Sequence, residues 1–285
     1  MSTTENSTRV KAPTITRPEV IDHPNTVRED EDTLLNPPGR SESDGVENNK
    51  VNTNETHTEK LINCRKEILI SSMNLRTIRA DHKRKELAFQ FNDKGLSVLG
   101  VQDHKIVHDE DDDEVKTEVI DGCTLITTTA WRNTRNAAVG GVGIMLNSQT
   151  TKAVADIEAY NNRILIVHFN GNPATSIIVQ YAPTEGSEDA EEHYTNLADA
   201  ISTIPKHNVL LILGDFNAHL GKEDVEYTYH SKTNKNGQHL LDLALEGNLV
   251  ITNTTFQKRP GKLWTYISDM SGTRTQTDYI LINQK

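Results

Sequence analysis

The residues of this chain best placed to do chemistry are an acid and an amide two positions apart. They lie in Gly214-Asp215-Phe216-Asn217, directly after the apolar run Val209-Leu210-Leu211-Ile212-Leu213. A carboxylate beside an amide suits hydrolysis of a phosphate ester: the acid takes a proton from water or holds a cation, and the amide orients oxygen. The same two side chains can instead cap the following segment through their own backbone, as Asx residues do, and spacing alone leaves both readings open. The element that must position them is the run itself. Apolar at every residue and closed by a turn, it reads as a strand buried on both faces. The acid then sits at a strand's carboxyl end, where α/β folds place their chemistry. Gly214 gives the backbone freedom to turn there.

The elements around this strand follow from periodicity and turn residues. Strands are expected over 67–71 and 96–101, flanking a helix over about 82–92 that carries Leu87, Phe89 and Phe91. Further strands follow at meander spacing over 123–131, 141–146, 154–159, 163–169 and 176–181, with Gly171-Asn172 as a hairpin turn. A helix over 189–203 leads into the Val209 strand, and another over 238–245 ends at Gly247 as its C-cap. Strands over 263–267 and 277–282 follow. Many antiparallel strands with few covering helices point to two packed sheets flanked by helices, not to a doubly wound βαβ sheet.

Composition divides the 285 residues in two. Residues 1–60 hold no aromatic side chain and five of the nine prolines, among abundant Ser, Thr, Asn and acid. Such a segment buries too little apolar surface to offset its chain entropy and is expected to be a disordered polar tail. Residues 61–285 are expected to form one domain. The net charge is −11, and the chain beyond the tail remains acidic, with 23 basic against 29 acidic residues. That excludes the broad basic footprint of an avid duplex binder and is compatible with a divalent-cation site. The run Asp109-Glu110-Asp111-Asp112-Asp113-Glu114 reads as a solvated loop. Cys64 and Cys123 offer neither a metal spacing nor a disulfide framework. With no leader pattern and no apolar run of membrane length, an intracellular location, nucleus or cytoplasm, is expected, with no membrane contact. Oligomeric state leaves no mark in the sequence.

At this point the motifs carry a resemblance. Asn74, Asp103, Gly141-x-Gly143, Tyr181-Ala182-Pro183, Gly214-Asp215-Phe216-Asn217, Trp264-Thr265 and Gln276-Thr277-Asp278-Tyr279-Ile280-Leu281 are similar, in order and rough spacing, to the endonuclease/exonuclease/phosphatase superfamily. The likeness is greatest to the endonuclease domain of non-long-terminal-repeat retrotransposons and host sequences derived from them, and it spans 68–281. It implies an α/β fold, a four-layer α-β-β-α sandwich of two mixed sheets with a divalent-metal site at one edge. It further implies that Asn74, Asp103 and Asp215 hold Mg2+ (or Mn2+) through oxygen. Tyr181 would bond the scissile phosphate, Asp215 would activate water, and Asn217 would orient that water and a phosphate oxygen. Asp278 would orient an imidazole. DNA is the implied partner, and phosphodiester hydrolysis that nicks a strand is the implied reaction. Other phosphoester substrates, or a non-catalytic binding role, are the alternatives the resemblance leaves.

The chain departs from the family pattern at three places. Asp103 stands where the family has Glu, one methylene longer, and Met73 stands where an aromatic precedes the Asn. In the family a Ser-Asp-His element follows the Asp-Tyr strand by a few tens of residues. Only Tyr279 to Lys285 follow Asp278 here, with no His or Asp among them. The resemblance therefore implies an incomplete domain with the last strand or strands missing and doubtful activity. His168, His193, His207, His219, His230 and His239 are the histidines that could stand in, and no spacing singles one out.

Overall fold

A computed structural model describes residues 6–10, 60–62, 67–109, 114–268 and 270–284. In chain order the strands and helices are β1 (Asn6–Val10), β2 (Ile68–Asn74), α1 (Asp81–Asp93), β3 (Val98–Gln102), β4 (Val115–Ile120), β5 (Cys123–Thr128), β6 (Trp131–Arg132), β7 (Ala138–Val139) and β8 (Val142–Leu146). There follow α2 (Ser148–Thr151), β9 (Val154–Asn161), β10 (Ile164–Phe169), β11 (Thr175–Tyr181), α3 (Ala190–Thr203) and β12 (Val209–Asp215). The chain then forms α4 (Lys235–Glu246), β13 (Leu249–Ile251), β14 (Tyr266–Ile267), β15 (Arg274–Thr275) and β16 (Asp278–Asn283).

Two six-stranded mixed sheets result, in the orders β1-β2-β3-β8-β5-β4 and β13-β16-β12-β11-β10-β9. Each contains one parallel pair, β2 with β3 and β11 with β12, joined through α1 and α3 respectively. A parallel pair needs such a crossover, and two crossovers place helices on the outer faces. Alternation along the strands then assigns every apolar side chain to a layer. On β12, Leu211 and Leu213 join Val179, Ile144 and Val98 between the sheets, while Leu210 and Ile212 join Leu197, Leu240 and Tyr194 beneath α3 and α4. Leu87, Phe91, Leu99 and Met145 fill the layer between α1 and the first sheet. The layers are thus α-β-β-α, and each fully buried aliphatic side chain in them contributes about 1.5–3 kcal/mol. Gly100 marks the close approach of the sheets, since a Cβ there would sit 3.1 Å from the Leu213 Cβ.

Several sequence expectations meet corrections of detail. Asn6–Val10, within the segment expected to be a disordered tail, pairs antiparallel with Ile68–Ser72 as an edge strand. The rest of that segment up to residue 59 lies outside the described residues, as do 110–113 of the acidic run. The strand expected over 123–131 breaks after Thr128, because the chain leaves the sheet before Trp131 pairs with Val139 in a separate small hairpin. β4 and β13 were not foreseen: β4 is half polar, and β13 has only three residues. Gly247 caps α4 with right-handed geometry (φ −79°), and the left-handed position is Asn248 (φ 49°). Among the described residues no helix is long and apolar enough to cross a membrane.

Candidate active site

The register of the second sheet assembles one half of the site. Tyr181 ends β11 opposite Asp215 at the end of β12, and Asp215 in turn lies opposite Asp278 at the start of β16. Three polar residues thus lie side by side at one edge. The first sheet presents Asn74 at the end of β2 and Asp103 one residue beyond β3 at the same edge. The two halves meet where Asn74 Nδ2 donates to Asp215 Oδ2 at 3.0 Å.

The turn after β12 is fixed by its own polar groups. The Asn217 N–H donates to Asp215 Oδ1 at 3.0 Å, its side-chain Nδ2 donates to the Ala182 carbonyl at 2.7 Å, and the Tyr194 hydroxyl holds the Phe216 carbonyl at 2.9 Å. Asn217, with φ 46°, is the residue that turns left-handed. Gly214 has a different role from the turn expected of it. A Cβ at that position would overlap the Gln180 carbonyl on β11, so close approach of strands demands glycine there. The capping reading of Asp215 and Asn217 thus holds, and Asp215 Oδ2 is the atom that meets Asn74 where the edges of the two sheets come together.

Electrostatics follow from this crowding. Asp215 is 7% exposed and Asp278 8%. Burial raises the Asp215 pKa first of all; hydrogen bonds from Asn74, Asn217 and Thr277 pull it back, and Asp103's charge adds to the rise. Asp278 is raised by burial and then by the charge of Asp215, with bonds to Thr265 and Thr277 offsetting part. Its Oδ1 is buried without a hydrogen-bond partner. Asp103 is also raised by burial, against a 2.9 Å bond from the Gly140 N–H and the Lys105 ammonium 3.2 Å away. Burial and then the charges of Asp103 and Asp215 push the Tyr181 hydroxyl above its ordinary value, so it stays a neutral donor.

The expected site residues thus come together: Asn74, Asp103, Tyr181, Asp215, Asn217 and Asp278 line one edge. Five of the candidate histidines are engaged elsewhere. His193 bonds Gln180 Oε1 at 3.0 Å, His168 bonds Ser176, His219 and His230 stack at 3.8 Å over Thr275, and His239 stacks on Tyr194. Among the described residues no imidazole bonds the Asp278 carboxyl. Sequence reasoning missed Lys105, Arg163 and Trp131, and assigned no role to Thr265 or Thr277, which lie within the motifs that carry the resemblance. Thr265 Oγ1 accepts from the Thr277 and Asp278 N–H groups at 3.1 and 3.3 Å. No spacing announces Lys105, Arg163 or Trp131, because each acts through tertiary contact; for the two threonines the Trp264-Thr265 and Gln276-Thr277-Asp278 motifs were the available signals.

Whether the edge fits a divalent cation can be tested on its donors. Among the described residues no three His, Cys, Asp or Glu side chains converge as a metal cage. The available set is the carboxylates of Asp103 and Asp215 and the amide of Asn74, all hard oxygen donors. Magnesium is usually held by one or two carboxylates with water and substrate phosphate completing its shell, so this set fits. Two acids whose pKa values burial raises, that of Asp215 also by the charge of Asp103, are also what a dication would relieve.

No family model matches the chain. Craniofacial development protein 2 of Bos taurus is 32% identical to it over 152 residues, 51% of this chain and 26% of that protein. Its counterpart from Tragulus javanicus is 31% identical over the same share. The chain thus spans about a quarter of the length of the curated relatives it matches. Among solved structures, the 3′ phosphatase NExo from Neisseria, bound to a product DNA hairpin, superposes with a TM-score of 0.56 at 15% identity, covering 75% of this chain and 86% of that one. The AP endonuclease LMAP from Leishmania major does so with a TM-score of 0.56 at 13% identity, covering 75% and 78%. An endonuclease/exonuclease/phosphatase family protein from Leptotrichia buccalis does so with 0.50 at 13%, covering 75% and 87%. With its two mixed sheets and its helices outside them, the protein has the α-β-β-α sandwich fold of the endonuclease/exonuclease/phosphatase nucleases.

Proposed function

We propose that this domain is a divalent-metal-dependent phosphodiesterase that cuts DNA, of the retrotransposon endonuclease type, acting inside the cell. The observation that carries the reading is the Asn74–Asp215 bond, which closes a mixed amide, carboxylate and phenol site across the edges of both sheets. Asn74, Asp103 and Asp215 would hold Mg2+ or Mn2+, which when bound neutralises charge on a phosphate oxygen. Asp215, with its raised pKa, accepts the proton of an attacking water, since a base works best near ambient pH. Asn217, its rotamer locked on Ala182, orients that water through its remaining amide atoms. The neutral Tyr181 hydroxyl donates to a phosphate oxygen as charge develops there.

A second reading, a non-catalytic nucleic-acid-binding module, is favoured by one observation: among the described residues Asp278 Oδ1 is buried without a hydrogen-bond partner. Among the described residues no imidazole meets that carboxylate, and absence of one such charge stabiliser typically costs on the order of a hundredfold to a thousandfold in rate. The expected outcome is slow nicking of supercoiled plasmid in Mg2+, abolished by Asp215→Ala. Nicking that survives Asp215→Ala would sink the phosphodiesterase assignment. Absent nicking with intact plasmid binding would establish the second reading.

A further inference from the structure

Arg163 immediately precedes β10, inside a stretch whose next four residues are fully buried. Its guanidinium is half-buried and lies 4.1 Å from the ring of Trp131 and 6.0 Å from the ring of Tyr181. Nη1 donates to the Tyr181 carbonyl at 3.3 Å. Burial lowers its pKa, offset chiefly by Tyr181. Among the described residues no carboxylate lies within ion-pair distance of it, the charge of Asp189 acting only from farther off, although Arg84, Lys85, Lys105 and Lys235 all have acidic partners. Arginine carries five donors, of which the structure occupies one.

A partly desolvated cation without a counter-ion is costly, and proteins keep such groups paired. The aromatic faces hold the guanidinium in place without consuming its donors. Trp131 is itself fixed by the site: a Cβ at Gly140 would overlap its ring, and the Gly140 N–H is the group that bonds Asp103. Arg163 is therefore held on the Tyr181 side of three carboxylates that would otherwise repel an anion. Lys105 cannot serve as easily, since its ammonium is engaged by Asp103.

We infer that Arg163, clamped between Trp131 and Tyr181, is a phosphate subsite that takes a phosphate group of the substrate next to the one being cut. The inference rests on the phosphodiesterase reading for its placement, but its test does not depend on turnover. The group bound is either an internal phosphodiester or a terminal phosphomonoester, which share the same oxygens; a planar guanidinium meets either in bidentate fashion.

The full chain is titrated in EDTA with a fluorescent DNA duplex containing internal diesters only, and with the same duplex carrying a terminal 3′ phosphate. Arg163→Met is expected to weaken binding roughly tenfold and to reduce the slope of log affinity against log salt by about one. Arg163→Lys is expected to recover the salt slope but only part of the affinity. Equal loss on both duplexes assigns an internal diester, and a larger loss on the 3′-phosphorylated duplex assigns the terminal group. Unchanged affinity and unchanged slope in Arg163→Met would overturn the subsite. Should Arg163→Met fail to fold, Trp264→Phe leaves Trp131 as the lone indole, because the chain has two tryptophans. Its emission should then shift on titration with either duplex, and a constant emission under saturating duplex would overturn the proposal. Duplex binding that depends on Arg163 in a protein that never nicks plasmid would keep the subsite and remove the phosphodiesterase reading.

Discussion

The two sheets build their halves of the site by different means. The second sheet contributes Tyr181, Asp215 and Asp278 from within strands, so ladder register alone sets their spacing. The first sheet contributes Asn74 from the end of β2 but Asp103 from a loop, and three residues on that side are left-handed without being glycine: Arg76 at φ 57°, Asp103 at 53° and Lys105 at 61°. On the other side only Asn217 is so placed among the described site residues. Left-handed backbone at such residues costs of order 1–3 kcal/mol each and persists only where surrounding contacts enforce it. Those contacts are visible: the Asp103 and Lys105 N–H groups donate to the carbonyls of Gly141 and Gly140, and the Leu75 N–H donates to Gln102. The strand half is rigid because it is sheet, whereas the loop half is rigid because a second loop holds it. The loop half should therefore be the easier to disturb.

The largest test bears on the buried histidines that back each half. His104 packs over Gly141 and accepts from the Ile106 N–H at 2.9 Å, while His193 bonds Gln180 beside Gly214. Burial depresses both, His104 to about 4 and His193 to about 3. A depressed folded value means the unfolded chain binds the proton first, so stability is full above about pH 6.5 and falls as pH drops toward 4. The loss should be on the order of 3 kcal/mol for each imidazole; because the raised acids Asp103, Asp215 and Asp278 act in the opposite sense as pH falls, it is read as the difference in urea midpoint between parent and variant from pH 7 to 4.5. His193→Gln should shed its share of that slope. A His193→Gln curve parallel to that of the parent protein would show that the strand half does not depend on a neutral imidazole.

A smaller effect should separate the halves directly. Gly140→Ala puts a methyl group against Trp131 at a residue with φ 71°, and should cost about 1–3 kcal/mol, read by thermal melting. The loop that carries Asp103's hydrogen-bond donor would shift with it. Should the variant melt like the parent protein, the loop half is as well determined as the strand half and the comparison fails. The smallest test touches charge alone. Asp103→Asn keeps a residue that tolerates left-handed backbone but removes one carboxylate, and should weaken Mn2+ binding measured by calorimetry roughly tenfold, ~1.4 kcal/mol. Equal binding by both proteins would leave the loop half without a part in holding metal.

This asymmetry also explains what the sequence disclosed. The strand half was legible because its signals are local: the apolar run before Asp215, the Tyr181 strand and the strand beginning near Asp278 each announce themselves within ten residues. The layering followed from the same alternation, and α3 was located to within a residue of Ala190–Thr203. The placement of Asp103 came through motif resemblance, since nothing local in Val101-Gln102-Asp103-His104 requires a left-handed turn. Lys105, Arg163 and Trp131 were illegible for a physical reason. Their positions depend on Asp103, Tyr181 and Gly140 across sheets and loops, and a one-dimensional pattern does not encode such meetings. The edge strand β1 went unread because a short polar segment earns strand geometry only from the partner it finds.

One bond described above has a further meaning for how the molecule is made. Asn74 and Asp215 are 141 positions apart, and the brace from Asn283 to Leu210 on the neighbouring strand spans 73. Contacts this remote must wait for the intervening chain to organise, and folds dominated by them are slow to form. During synthesis from the N-terminal end, Asn74 and Asp103 emerge long before Asp215 and Asp278 exist, so the growing polypeptide holds two unconnected fragments of a site. Closure of that bond is a late event that reports a finished sandwich. A nascent or half-folded chain of this protein has no assembled centre with which to act on anything around it.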